Sequence, residues 1–233
     1  NVVDYIYAGD LNGNLWKFDL SGKNAQQWDV ALKQGNTKLP LFHAQDANGK
    51  AQPITARPMV GYNPADGSRW VFFGTGRYLT LADVSDTSTQ SWYGIIDDGK
   101  NAVTRSQLKQ RKIAARGTDP KTGNPVRSFE QATPGDMVDT TGNKYRGWYV
   151  DLDPGERMIT PSQLSGPVLY ASSIIPSTDP CVPGGTGYVN AIDAFTGTAV
   201  GFFADYGPLT VNGQKIPAGS VDVGGGMPGQ PQI

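Results

Sequence analysis

A strand-turn-strand segment at residues 4–22 sets the strongest constraint on how this chain can fold. Its first part is rich in β-branched and aromatic residues, and Asn12-Gly13 can adopt the positive φ angles of a tight turn. Apolar and polar residues then alternate from 15 to 20, as in a strand with one face toward a core. The segment therefore predicts a β-hairpin with Trp16, Phe18 and Leu20 on its apolar face and Lys17 and Asp19 on its solvent-exposed face.

The ending of this hairpin recurs along the chain, as an aspartate after an apolar residue with a glycine shortly behind it. The four aspartates are Asp19, Asp97, Asp151 and Asp193, spaced 78, 54 and 42 residues apart. Propeller blades repeat with a period of about 40 to 50 residues, although unrelated strands can end in the same way. The spacing favours an all-β fold, a modified and partial β-propeller with roughly four blades' worth of strands and long loop insertions.

Composition supports many short strands and excludes some classes of function. The chain has 30 glycines and 17 prolines, and only 18% of its residues are charged, which favours turns over long helices. A net charge of −1, without a basic cluster interleaved with aromatics, argues against a nucleic-acid partner. No apolar run approaches the roughly 20 residues that span a bilayer. The lone cysteine, Cys181, leaves both an exported and a cytosolic setting open.

We expect residues 1–233 to form part of a single propeller domain. Residues 69–76 are almost wholly apolar and are predicted to be a strand buried on both faces. Periodicity weakens around residues 100–146, which we interpret as an elaborated, surface-exposed insertion and a candidate contact region. Both ends of the chain read as cuts into blades. The remainder of the propeller is then expected from another segment or chain.

Candidates for catalysis and metal binding are few. His43, the only histidine, lies in a predicted strand and is interpreted as structural or exposed. Asp10, Asn12 and Asn14 have the alternate spacing with which calcium loops present oxygens. The hairpin turn already explains these residues, and no glutamate stands at the twelfth loop position. Asp4 could close a different metal loop whose earlier ligands precede residue 1, or it could simply be a strand-end aspartate.

Six blocks of the sequence carry a family resemblance and follow one another along the chain. In order, they are VVDYIYAGDLNGNLWKFDL, AQPITARPMV, WVFFGTGRYL, QSWYGIIDDG, RGWYVDLDPGERM and DPCVPGGTGYVNAIDAFTG. Together these blocks resemble the C-terminal domain of the PilY family of type IV pilus tip-associated adhesins. The resemblance implies a modified β-propeller that is extracellular, associated with the outer membrane and displayed at the pilus tip. It further implies work with minor pilins in pilus extension, twitching motility and attachment to host or abiotic surfaces.

The resemblance also implies a calcium site, because that family carries an Asp-x-Asp-x-Asp-Gly-x-x-Asp loop just before the YAGD strand. Only the last ligand maps onto this chain, at Asp4, and the loop glycine falls on Asn1. In the family the cation is implied to switch support between pilus extension and retraction. The Arg-Gly-Asp tripeptide of some members does not occur in this sequence.

We therefore predict a non-enzymatic adhesion and assembly module, in which the large aromatic residues form the core. These residues are Trp16, Phe18, Trp70, Phe72, Trp92 and Trp148. The alternative is a quinoprotein-type oxidoreductase propeller, because the YAGDLNGNLWKFD block also resembles repeats of that class. Such an enzyme would need a tryptophan stacked on the cofactor and calcium-ligating Glu, Asn and Asp side chains near the ring axis.

Overall fold

A computed structural model of the chain describes residues 3–179, 184–206 and 208–232, and its regular structure is almost entirely β. Cys181 lies outside these described residues. The strands are β1 (Tyr5–Gly9), β2 (Asn14–Asp19), β3 (Asp29–Val30), β4 (Leu32–Gln34), β5 (Thr37–Leu39), β6 (Phe42–His43), β7 (Met59–Tyr62), β8 (Arg69–Gly74), β9 (Ser91–Asp97), β10 (Lys109–Arg111), β11 (Ile113–Thr118), β12 (Pro125–Phe129), β13 (Gly147–Asp151), β14 (Gln163–Ser165), β15 (Val168–Ile175), β16 (Thr186–Asp193), β17 (Leu209–Val211), β18 (Gln214–Ile216) and β19 (Ser220–Val221). Short helices are α1 (Leu81–Val84) and the 3₁₀ turns Ala25–Gln27, Arg105–Gln107 and Ala204–Tyr206.

The strands form three main sheets and two separate hairpins. In the first sheet β2 pairs with β1, β3 and β6; the second has the order β10-β13-β9-β8-β7, and the third β11-β12-β19-β16-β15-β14. Strands β4 and β5 form one extra hairpin, and β17 and β18 the other. All strand pairs in these sheets are antiparallel except β10 with β13. The all-β class predicted from the sequence is confirmed.

The second sheet lies between the other two and buries both of its faces. On β8, Val71 and Phe73 pack toward the first sheet, whereas Trp70 and Phe72 pack toward the third. Successive strand residues point to opposite faces, so an uninterrupted apolar strand needs a partner on each side. The resulting stack of three twisted sheets is the arrangement of neighbouring propeller blades.

The first hairpin forms as predicted, but its two faces are exchanged. Leu15 and Lys17 point into the stack and are almost fully buried, whereas Trp16 and Phe18 are only half-buried on the outer face. Lys17 can occupy this interior position because its ammonium lies 2.7 Å from the carboxylate of Asp97 on the second sheet. Lys17 lies on the inner face, so its assignment to the solvent-exposed face was wrong. Trp70, Phe72, Trp92 and Trp148 are buried as predicted.

Much of the expected insertion at residues 100–146 belongs to the sheets. Strand β10 lies at one edge of the second sheet, and β11 and β12 belong to the third. Strand β12 is buried over most of its length, and its Arg127 is neutralised by Glu156 in a two-bond ion pair with distances of 2.7 and 2.8 Å. A buried arginine interrupts the apolar alternation, which is why the segment looked like a loop. Residues 130–146 are largely exposed.

The four repeated aspartates do end strands, but they do not all lie at one end of the stack. Asp97 pairs with Arg69 and Asp193 with Val168, each at the start of a neighbouring strand. Asp151 instead pairs with Ser91, where β9 begins. Because β13 runs antiparallel to β9, Asp151 faces the opposite end, and the spacing through it does not measure a blade period.

Close packing against Trp148 yields a stability prediction. A Cβ at Gly94 would lie 2.7 Å from the buried Trp148 ring, which cannot retreat because its Nε1 donates a hydrogen bond to the Ala194 carbonyl. We expect Gly94→Ala to lower the free energy of unfolding by about 1–3 kcal/mol, measured by urea denaturation. Gly225→Ala is the control, since no atom lies within 4 Å of its Cβ position. Equal stability of the two variants would contradict this packing.

Candidate functional site

The predicted metal ligands are divided between the two ends of the first hairpin. Asp4 is exposed just before β1, where its carbonyl accepts a hydrogen bond from the Leu20 amide. Asp10, Asn12 and Asn14 lie in the turn after β1, roughly 20 Å away at the rise of an extended strand. Asp4 therefore cannot share a cation with the other three residues.

The oxygens of Asp10 are already occupied by hydrogen-bond donors of the turn. One carboxylate oxygen accepts the amides of Asn12 and Asn14, and the other accepts the Asn14 side-chain amide and the Trp16 indole N–H, all at 2.9 Å. In the described part of the chain, no three His, Cys, Asp or Glu side chains come together as a metal site would require. These residues do not fit calcium as they stand, and the family's calcium loop stays a prediction that concerns Asp4 alone.

His43 is exposed and bonded to the same turn. Its Nδ1 lies 2.9 Å from the Asn14 side-chain oxygen, which joins β6 to the hairpin. The nearest arrangement to a catalytic one lies elsewhere, where Ser91 donates a 2.6 Å hydrogen bond to Asp151. Arg105 Nη2 donates hydrogen bonds to both oxygens of that carboxylate. No imidazole takes part in this contact to accept the serine proton.

The loop between β8 and β9 is anchored by two buried charged side chains, Asp83 and Arg157. The carboxylate of buried Asp83 accepts the amides of Leu79 and Thr80 and the guanidinium N–H of Arg77 at 2.6–2.9 Å. From the other side, Arg157 is buried and donates to backbone carbonyls of Arg77, Asp83 and Asp86. These contacts fix both ends of the loop against the stack.

This anchored loop holds apolar side chains out in solvent. Leu81 is 91% exposed, Leu79 is 66% exposed and Tyr78 is 38% exposed. The three residues and Val84 line a shallow depression of about 410 Å³. Exposed apolar side chains on a rigid segment are typical of contact surfaces, because little conformational entropy is lost when a partner covers them. We call residues 77–86 the anchored loop.

The sequence carries a local signal for the anchored loop that the alternation of apolar residues does not show. Thr80 and Asp83 have the three-residue spacing of a capping box, and they form one at the start of α1. A capping box directly beside a Tyr-Leu pair predicts an ordered turn with apolar side chains. The exposure of those side chains could not be predicted, because it depends on Arg157, which comes from a distant part of the chain.

Two anchoring carboxylates generate a pH prediction. The Leu79 amide, with Thr80 and Arg77, lowers the pKa of Asp83 to about 2, and Arg111 lowers the pKa of Asp136 to about 2. An aspartate in the unfolded chain has a pKa of about 3.9. Both carboxylates therefore stabilise the fold fully above that pH, and this stabilisation is lost as the pH falls toward the folded-state pKa. We expect the urea midpoint to drop between pH 4 and pH 2.

The Asp83→Asn variant tests the contribution of the anchored loop to that drop. It should have a lower urea midpoint than the parent at pH 5 and a smaller further loss on acidification. Asp205→Asn, at an exposed position of a 3₁₀ turn, is the control and should follow the parent. An Asp83→Asn curve parallel to that of the parent would contradict the assignment.

Comparisons with known proteins identify the family. The model of the PilY1 beta-propeller domain matches residues 1–118. A type IV pilus biogenesis factor PilY1 homolog of Xylella fastidiosa is 39% identical over 207 residues, covering 86% of this chain and 15% of that protein. The type IV pilus biogenesis factor PilY1 of Pseudomonas aeruginosa PAO1 is 34% identical over 231 residues, covering 86% of this chain and 20% of that protein. The chain thus spans a fifth or less of the length of these two relatives.

A solved structure supports the same assignment. The crystal structure of the Pseudomonas aeruginosa PilY1 C-terminal domain superposes with a TM-score of 0.77 at 27% sequence identity, covering 95% of this chain and 52% of that chain. The stacked sheets therefore have the fold of a characterised propeller domain, and the partial-propeller prediction is confirmed. With the family model matching half of its residues, this chain belongs to the PilY1 beta-propeller domain family.

Proposed function

We propose that the chain is a non-enzymatic contact module of a type IV pilus tip-associated adhesin and assembly factor. Its relatives are named as type IV pilus biogenesis factors, which supports a role in the pilus machinery. On this proposal the module binds minor pilins of the tip complex and a host or abiotic surface, at the cell exterior beside the outer membrane. Pilus extension, twitching motility and attachment then depend on those contacts.

The observation that carries the proposal is the anchored loop. Asp83 and Arg157 hold its backbone from beneath while Leu79 and Leu81 project into solvent. An apolar side chain of this size gains about 1.5–3 kcal/mol on full burial, so covering both leucines would contribute substantially to a protein contact. Burying a guanidinium and a carboxylate carries a desolvation penalty, which the fold would not need to bear for a loop that makes no contact with a partner.

The outer face of the first sheet supports the proposed contact with further propeller sheets. Ile6, Phe18, Leu20, Trp28 and Val30 line a mainly apolar groove of about 330 Å³ on that face. Ile6 and Trp28 are each nearly half exposed. The inner faces of the stack show how such surfaces are covered in this fold, since each apolar sheet face packs on another sheet. We infer that another blade, from the same protein or its partner, covers this groove.

A binding role fits the polar groups better than the quinoprotein alternative does. Three ion pairs connect distant parts of the chain: buried Lys17 with Asp97, buried Arg127 with Glu156, and part-buried Arg105 with Asp151. Each carboxylate in these pairs is neutralised by a cation of the chain.

Among the described residues, no helix is long and apolar enough to cross a bilayer. A calcium-dependent switch remains part of the proposal only through Asp4 and residues that would precede it.

The anchored loop provides the test of this function. We expect Leu79→Ser with Leu81→Ser, introduced into the full-length protein of the source bacterium, to reduce surface piliation and the diameter of twitching zones. The double variant removes two exposed apolar contacts and leaves Asp83 and Arg157 in place. Binding of the purified protein to the purified minor pilins should weaken at least about tenfold, measured by calorimetry.

Leu11→Ser is the matched control, because Leu11 is 53% exposed in the first hairpin turn and lies outside the anchored loop. Protein abundance is followed by immunoblotting, so that loss of protein is not mistaken for loss of contact. Normal piliation and unchanged pilin binding in the double variant would overturn the role of the loop. A bound quinone in the purified protein, detected by its ultraviolet absorbance, would favour the oxidoreductase instead.

A further inference from the structure

A surface groove lies where the chain passes from the second sheet to the third. Strand β10 is the last strand of the second sheet, β11 is the last strand of the third, and only Lys112 separates them. The groove has a volume of about 570 Å³, within the range of about 300–1,000 Å³ typical of ligand sites. We call it the rim groove, and its lining includes Lys109, Lys112, Ile113, Ala114, Glu130 and Ile216.

The floor of the rim groove is apolar and its strand is locally distorted. Ile113 and Ala114 contribute from β11, and Ile216 contributes from the facing hairpin β17–β18. The pairing of β11 with β12 shifts register between Ile113 and Ala115, which leaves Ala114 as a bulged residue without a partner opposite it. A bulge interrupts the ladder and redirects the edge, and such features occur often beside binding sites.

Two lysines at the rim groove have no acidic partner within the part of the chain that the structure describes. Lys109 lies over the Tyr145 ring at 5.5 Å, and Lys112 is exposed. The neighbouring Arg111 is different, because Asp136 accepts two hydrogen bonds from it at 2.8 and 3.0 Å. Glu130 is the one other carboxylate of the lining and leaves an excess of positive charge. The groove is thus complementary to an acidic ligand.

The backbone around the rim groove favours an extended ligand. Strand β10 pairs only with β13, on one side, so the other edge of this three-residue strand carries backbone groups without a strand partner. An extended peptide can bond to such an edge through its main chain while alternate side chains enter the groove. Ile113 and Ile216 would receive apolar side chains, and the two lysines would receive carboxylates.

We propose that the rim groove binds an extended acidic segment of a partner protein, in which acidic and apolar residues alternate. The segment lies along the free edge of β10 and bridges the second and third sheets. A sulfated polysaccharide would satisfy the lysines alone, and it would leave the apolar floor and the strand edge unused. This binding activity does not depend on the proposed role at the pilus tip.

Three fluorescein-labelled nine-residue peptides test the proposal by anisotropy with the purified chain. In the first peptide valine alternates with glutamate, in the second valine alternates with lysine, and the third is the first with a central proline. We expect the valine-glutamate peptide to bind at least about tenfold more tightly than the valine-lysine peptide. The proline peptide should also bind more weakly, because proline removes a main-chain donor and cannot extend the strand.

Lys109→Glu with Lys112→Glu should weaken binding of the valine-glutamate peptide about tenfold or more. The control is Lys121→Glu with Lys144→Glu, which changes the net charge equally at two exposed lysines outside the groove lining. Hydrogen exchange should slow at residues 109–116 when the peptide binds. Equal binding of the proline peptide, an equal effect of both charge variants, or a heparin fragment that displaces the peptide without slowing exchange would overturn the proposal.

Discussion

The burial of both faces of the second sheet is the constraint on which the rest of the structure depends. Strand β8 supplies an uninterrupted apolar run, so Val71 and Phe73 require one neighbouring sheet while Trp70 and Phe72 require another. Water on either face would expose several large side chains at a cost of about 1.5–3 kcal/mol each. The order of the three sheets therefore follows from one strand.

Buried ion pairs then determine how the sheets fit together. Lys17 and Asp97 connect the first sheet to the second, and although burial opposes ionisation, Lys17 and Tyr7 hold the pKa of Asp97 below its usual range. Within the third sheet, burial opposes the charge of Arg127, and Glu156 raises its pKa. Pairs of this kind add little net stability compared with apolar residues. We interpret these buried ion pairs as contacts that fix the alignment of the sheets, because a shifted sheet would leave a buried charge without its partner.

The sequence was sufficient for features that depend on neighbouring residues. The first hairpin, the positive φ of Gly13 in its turn and the strand predicted at 69–76, which forms at Arg69–Gly74 and is buried from Trp70 onward, all follow from local patterns. The exchanged faces of β2 were not, because Lys17 becomes an interior residue only when Asp97 arrives from another sheet. The inward position of Arg127 has the same origin in Glu156. Local patterns cannot report the partner of a buried charge, and both main errors arise there.

Arg157 gives the anchored loop an internal cation that the chain itself carries. Its guanidinium donates hydrogen bonds to the carbonyl oxygens of Arg77, Asp83 and Asp86. In many surface loops a bound metal ion binds carbonyl oxygens in this way. An arginine side chain keeps its charge across the whole physiological range of acidity and cannot dissociate. These three carbonyl oxygens are therefore satisfied by the chain itself, and the shape that they give the loop does not depend on an ion taken up from the medium.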